Sequence, residues 1–448
     1  MPLPERELCA WSEAVHDSSL MKESDQKEKW IVLGLLWCVC LLNYADRQAI
    51  SSLFPLLEKD FGFSKAQLGM IGSAFMVVYA ISSPIAGFLG DRLSRKGLIL
   101  GGCLFWSLMT GMTGMCAKLW QFVTARSLIG LGESVYFPSA ASLLSDYHGV
   151  QTRSTALSFH QSAVYLGTIV GGWLGAVIAA HFGWRWAFYG FGLAGICFSL
   201  ILWVRLRDIS RGGKEGSKSP PMEDEESGML VRFSRVLKSP GVPLLMAAFA
   251  CVNGVGAIFL VWAPTFLFEK FHLSLVSAGF SAVATIQLAS AVSCPLSGIL
   301  ADHLSLTIRS ARMLVQIAAL LLGLFCVVAV GHAGTLPILF ASMISFGFCK
   351  GGYDGGIFAS AFDLVESRDR ASLVGLMNLL GWGGGALGPL LVGWITTYGR
   401  GTPMERMSGA ISWSSIAYLM AAGLILAAYL RQRTPQSDSI SSGVEDRR

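Results

Sequence analysis

Nine stretches of this chain run for 19 residues or more without an Asp, Glu, Lys or Arg: 66–90, 97–117, 154–184, 186–204, 239–268, 271–301, 313–349, 371–399 and 407–430. A helix needs roughly 20 apolar residues to cross the hydrocarbon core of a bilayer. Outer-membrane barrel strands are about half that length and alternate in polarity. These stretches do not alternate, so they are read as helices. Segment 313–349 is too long for one crossing and breaks at Gly331-His332-Ala333-Gly334. With the more polar segments 30–57 and 120–145 added, the expectation is an all-α integral membrane protein with twelve transmembrane helices. Only 14% of residues are charged, against about 25% in soluble domains. That shortage excludes a soluble protein, a disordered chain, a collagenous repeat and a secreted disulfide scaffold.

The few charges are unevenly spread. If the N-terminus is cytoplasmic, the inside tails and loops hold 24 of the 34 Lys and Arg, the outside loops 7 and the spans 3. This bias predicts that both termini are cytoplasmic. The 29 residues before Trp30 are polar and acidic, without the apolar core of a signal peptide. Nine of the ten Cys fall in predicted spans, which suits reduced packing residues. The net charge of +5 carries no signal for nucleic acid. The expected location is the cell inner (plasma) membrane, multi-pass, in contact with the lipid bilayer.

The chain also repeats itself. Residues 82–94 align with 293–305 at an offset of 211, with seven of 13 positions identical. Spans four and five align with ten and eleven at an offset of 217, pairing Gly130 with Gly347, Tyr136 with Tyr353 and Gly171 with Gly388. The expected organisation is a cytoplasmic tail (1–29), a six-helix bundle (30–206), a cytoplasmic linker (207–238), a second six-helix bundle (239–431) and a cytoplasmic tail (432–448). Two parallel repeats imply a binding site near the midplane, between halves that rock about it.

On these residues the chain resembles the major facilitator superfamily. Gly87-Phe-Leu-Gly-Asp91-Arg92-Leu-Ser-Arg95-Lys96 is similar to the family's cytoplasmic motif between spans two and three, with Ser94 where Gly is usual. Arg126-Ser-Leu-Ile-Gly130-Leu-Gly132 is similar to its span-four motif. Asn43-Tyr44-Ala45-Asp46-Arg47, with Arg126 and Glu133, resembles both the anion:cation symporters and the Spinster-type transporters. Trp262-Ala-Pro-Thr-Phe-Leu leans to the Spinster type, and Tyr136-Phe-Pro and Asn378 lean to the anion symporters. Gly172 stands where the antiporter signature of span five has Pro, which disfavours a proton-driven efflux antiporter.

Six ionisable residues lie within the spans: Asp46, Arg47, Arg126, Glu133, Lys350 and Asp354. An intramembrane charge costs at least about 2.5–3.5 kcal/mol, so these must pair or line water. The alternative to a solvated pathway is a set of ion pairs that only hold helices together. Arg126 and Glu133 are seven residues apart and share a helix face, about 10 Å from one another. Lys350 and Asp354, at i and i+4, are close enough to pair. The resemblance implies proton coupling at Asp46 and Glu133, with Arg126 changing partner between states. Arg47 and Lys350 are candidates for a substrate carboxylate or phosphate, Arg because its planar fork binds such groups bidentately. Tyr44, Tyr79, Gln161, Trp262, Gln287, Tyr353 and Asn378 complete the candidate pocket; for each the alternative is helix packing. Gly87, Asp91, Arg92, Arg95 and Lys96 are candidates for a cytoplasmic gate, or for topology and helix initiation alone.

The glycine string Gly381-Trp382-Gly383-Gly384-Gly385 follows no strand and carries no Lys-Ser/Thr, so it is read as close helix packing. No Cys/His spacing fits a metal, and no nucleophile constellation suggests an enzyme. The expected function is a proton-coupled secondary transporter, with the proton gradient as its energy source and no cofactor. Its expected partner is a small anionic substrate such as a sugar acid, imported by symport into the cell by a monomer. The alternative is a Spinster-type carrier of a lysolipid or other amphiphile.

Overall fold

The computed structural model describes the backbone of residues 5–148, 150–206, 229–308, 310–365 and 369–433, without the side chains of 5–26, 87–92, 145–146, 150–155, 157–158, 229, 302, 370–371 and 433. Ten helical segments are long and apolar enough to cross a membrane. They are spans one (Lys27–Ser52), two (Lys65–Ala86), five (Phe159–Phe182), six (Trp184–Arg205), seven (Val242–Phe271), eight (Leu275–Ser305), nine (Ala311–His332), ten (Leu336–Phe362), eleven (Ser372–Tyr398) and twelve (Pro403–Gln432). Helix Arg95–Thr113 supplies span three, and Leu119–Ser134 with Tyr136–Tyr147 supplies span four. The twelve spans form two six-helix bundles.

Prolines and glycines set the departures from straight spans. Span one stops at Ser52 and a short helix, Phe54–Phe61, restarts with Pro55 in its first turn, where a missing N–H costs nothing. Span four breaks at Val135, because Pro138 cannot donate to the carbonyl of Ser134. Span ten breaks at Gly355-Gly356, between helices Leu336–Asp354 and Ile357–Phe362. Ser94, the departure from the usual motif, caps span three by accepting from the Gly97 amide. The linker is less uniform than expected. Residues 207–228 lie outside the described residues, but Met229–Lys238 is a helix with Val236 buried and Arg235 paired with Asp369 at 3.2 Å.

Packing repeats as the sequence does. Span one packs on five as seven packs on eleven, and span two packs on four as eight packs on ten. The contacts match residue for residue. A Cβ on Gly130 would meet the Phe75 carbonyl at 2.6 Å, and one on Gly347 would meet the Ile286 carbonyl at 2.6 Å. Gly171 abuts the Ala45 carbonyl, and Gly388 abuts that of Gly254, 209 residues after Ala45. Spans one and seven therefore correspond at an offset of 209.

The halves meet where span two packs on eleven, five on eight and one on seven. These contacts gather toward the face opposite the linker, here the far face. Lys65 pairs there with Glu58 of its own half at 2.5 Å and with Glu269 of the other half. The Ala66 amide donates to Thr397 Oγ1 at 2.9 Å, and Gln48 Nε2 donates to the Leu260 carbonyl at 2.7 Å. Gly172 lies against Gly279, where a Cβ would meet its carbonyl at 2.8 Å. Even a methyl group at position 172 would push spans five and eight apart.

Candidate functional site

The break in span four fixes the centre of the N-terminal half, because Glu133 ends the straight part of the helix two residues before it. Its Oε2 accepts from Arg47 Nε of span one in a short ion pair. Glu133 is fully buried and the Arg47 side chain is 10% exposed. Removing either partner from such a pair leaves a bare charge, at about 3–5 kcal/mol.

Aromatic rings enclose the pair. Arg47 Cζ lies 4.4 Å from the Tyr44 ring, 4.7 Å from Phe75, 4.8 Å from Tyr79 and 5.5 Å from Trp382. Trp382 belongs to span eleven of the other half, so the cage closes only when the halves meet. Trp382 and Tyr79 are 5.0 Å apart, centroid to centroid. Cation–π contact contributes about 0.5–2 kcal/mol.

Asp46 is 5% exposed and accepts from Thr110 Oγ1 of span three at 3.2 Å. It lies within hydrogen-bonding reach of Glu133. Asp46 Oδ1 and Glu133 Oε1 are buried without a partner, as are Arg47 Nη1 and Arg126 Nε. Only a donor, such as a single proton, can join two carboxylate oxygens. Arg126 donates from Nη2 to the Arg47 carbonyl at 3.4 Å, with Cζ 5.1 Å from the Phe75 ring. The four groups expected to assemble do so, but Arg47 rather than Arg126 is the direct partner of Glu133.

The C-terminal half carries a second pair. Lys350 Nζ reaches Asp354 Oδ2 at 2.5 Å, with the side chains 21% and 29% exposed. Asp354 is the last residue before the break in span ten. Tyr165 of span five lies within electrostatic reach of both charges.

The remaining candidates divide. Gln161 is exposed, one helical turn from Tyr165, and Asn378 is half-buried one turn from Trp382. Gln287 is buried on span eight. Trp262 is fully buried and donates from Nε1 to the Pro389 carbonyl at 3.0 Å. In this conformation it is part of the far-face seam rather than of the charge cluster. Tyr353 is fully buried within its own half, and its hydroxyl has no hydrogen-bond partner. Of the gate motif, the side chains of Asp91 and Arg92 lie outside the described residues. Arg95 begins span three, and Lys96 Nζ donates to the Trp203 carbonyl at 3.1 Å. A separate cavity of about 500 Å³ opens at the far face among Lys270, His332 and Glu405, remote from the cluster.

Sequence reasoning missed Phe75, Thr110, Tyr165 and Trp382. The repeat could have found two of them, because Tyr165 and Trp382 correspond at the offset of 217. So do Gln161 and Asn378.

The family model described as Major Facilitator Superfamily matches residues 36–333 and 287–447. The chain is 26% identical over 404 residues to the chloroplastic ascorbate transporter of Arabidopsis thaliana, covering 86% of this chain and 72% of that protein. It is 30% identical over 244 residues to protein spinster homolog 1 of Homo sapiens, covering 54% of this chain and 46% of that protein. A crystal structure of a bacterial homolog of the human lysosomal transporter Spinster, inward-facing and unoccupied, superposes with a TM-score of 0.79. That match is 20% identical and covers 92% of this chain and 99% of the other.

Proposed function

Since the chain belongs to the Major Facilitator Superfamily, we propose that it is a proton-coupled secondary transporter that imports a small organic anion such as a sugar acid. The observation that carries this reading is the Arg47–Glu133 pair, with Asp46 beside it and one unpartnered oxygen on each carboxylate. With both acids ionised, Asp46, Glu133, Arg47 and Arg126 sum to zero charge. A proton joining the acids leaves the cluster with one positive charge. Glu133 then releases Arg47, whose planar fork takes the substrate carboxylate in its place. Proton and anion therefore enter together, because either alone leaves an uncompensated charge in a dry site.

The far-face contacts made by Lys65, Gln48 and Gly172 support a state open toward the linker side. The excess of Lys and Arg on that side argues that it is the cytoplasm of a cell whose inner (plasma) membrane holds the protein. Both halves of the site belong to one chain, so a monomer suffices. The energy source is the proton gradient, and alternating access requires no cofactor.

Uptake into proteoliposomes under an imposed pH gradient tests the reading. Glu133→Gln mimics the protonated acid, so gradient-driven accumulation is expected to vanish while substrate exchange across the membrane persists. If Glu133→Gln and Asp46→Asn both retain full accumulation, the coupling assignment is wrong. The likeness to Spinster proteins favours a second reading, a lysolipid or amphiphile carrier. Thermal stabilisation of the purified protein by lysolipids and by no organic anion would select it.

A further inference from the structure

This inference rests on the reading above and concerns the half-site that reading leaves idle. Lys350 stands in the C-terminal half where Glu133 stands in the other. The counterpart of Arg47, 209 residues on, is Gly256. A Cβ there would lie 3.6 Å from Lys350 Cε, so the lysine stem crosses a bare stretch of span seven. Cys294 of span eight and, from the opposite half, Tyr165 lie within electrostatic reach of the ammonium group. The pair thus looks into the seam between the halves, at the depth of the Arg47 cage. Tyr165 completes it from the position that corresponds to Trp382, which completes the other.

An intact Lys–Asp pair has no net charge to offer a second anion. It does hold donors and acceptors side by side. Lys350 carries three N–H donors and spends one on Asp354, while Asp354 has a second carboxylate oxygen. A hydroxyl group donates and accepts at once, so neighbouring hydroxyls on one carbon chain can bridge the pair without baring either charge. A second carboxylate would have to expel Asp354, and an alkyl tail would strip water from both charges with nothing in return. The geometry points to Lys350, Asp354 and Tyr165 as the subsite for the uncharged, hydroxyl-bearing end of a polyhydroxy monocarboxylate whose carboxylate lies at Arg47.

Proton-driven uptake of a hexonate, a hexarate and hexanoate distinguishes the end groups. Wild-type protein should prefer the hexonate. Lys350→Met and Asp354→Asn should each raise its KM about tenfold or more, the worth of a hydrogen bond to a charged group. Accumulation at saturating hexonate should survive, because the coupling acids are untouched. Tyr165→Phe should raise KM by a smaller factor. Lys350→Arg and Asp354→Glu keep the pair and should keep uptake, so loss in the first variants cannot be laid to misfolding when these remain active. An unchanged KM in both Lys350→Met and Asp354→Asn overturns the subsite alone. So does a wild-type preference for the hexarate or hexanoate. Absence of proton-driven uptake of all these acids by the wild type would overturn the parent reading, and the subsite with it.

Discussion

The two halves of the molecule carry one member of each charged pair, Glu133 and Lys350, at corresponding points of corresponding helices, yet one pair is dry and the other wet. Arg47 and Glu133 are 10% and 0% exposed, and Lys350 and Asp354 are 21% and 29% exposed. The scaffold beneath them is shared down to single carbonyls, as Gly130 on Phe75 and Gly347 on Ile286 attest. The difference therefore comes from the side chains and from where each span breaks, two residues after Glu133 but five after Lys350. In the N-terminal half the acid and its base come from two helices and are roofed by rings. In the C-terminal half both come from one helix, and the position facing them is glycine. A dry pair is costly to break and suits an all-or-none exchange of proton for anion. A wet pair can change partners cheaply and suits adjustable contacts.

The largest effect expected from this contrast is on stability. Arg47→Met should cost about 3–5 kcal/mol by stranding Glu133, whereas Lys350→Met should cost about 1 kcal/mol or less, as for a solvated pair. Thermal unfolding in lipid nanodiscs measures both, and equal losses would break the comparison. Adding Glu133→Gln to Arg47→Met should recover much of the loss.

A smaller effect tests whether the scaffolds are interchangeable. Gly256→Arg sets a second cation against Lys350 and crowds its stem, which should destabilise by about 1–3 kcal/mol. Lys350→Glu in the same chain should relieve it by rebuilding the N-terminal pairing in the C-terminal half. If the double variant is no more stable than Gly256→Arg, the two half-sites are less alike than their backbones.

The smallest effect lies at the far face. Glu269→Gln removes the inter-half partner of Lys65, at about 0–1 kcal/mol for a partly exposed pair. The result should be faster maleimide labelling of a cysteine introduced at Ala66, as the far side opens more often. Unchanged labelling would mean that the Gly172–Gly279 and Gln48–Leu260 contacts hold the seam unaided.

Much of this was legible in the chain itself. Absence of charge marked most of the spans, and the repeat offsets fixed which residues correspond. The rarity of intramembrane charge picked out Asp46, Arg47, Arg126 and Glu133 before any geometry was known. Which arginine meets Glu133 was not legible, because two guanidinium groups at one depth differ only by the ångström-scale approach of spans one and four. The complete burial of Tyr353 and Trp262 was hidden for another reason. Composition records that a residue is polar or aromatic, but a helix buried on several sides offers it more than one neighbour. The break in span four follows from Pro138, a local rule, whereas the Trp382 roof depends on how two bundles meet.

The Lys65 cluster has one more consequence. One cation shared between two carboxylates is never left alone when the halves part. Glu58 travels with Lys65, and only Glu269, already 26% exposed, loses its partner. The far side therefore closes with a clasp whose release leaves no buried charge behind. A door hung this way swings on little more than thermal energy, leaving the heavier decision of when to swing to whatever occupies the centre.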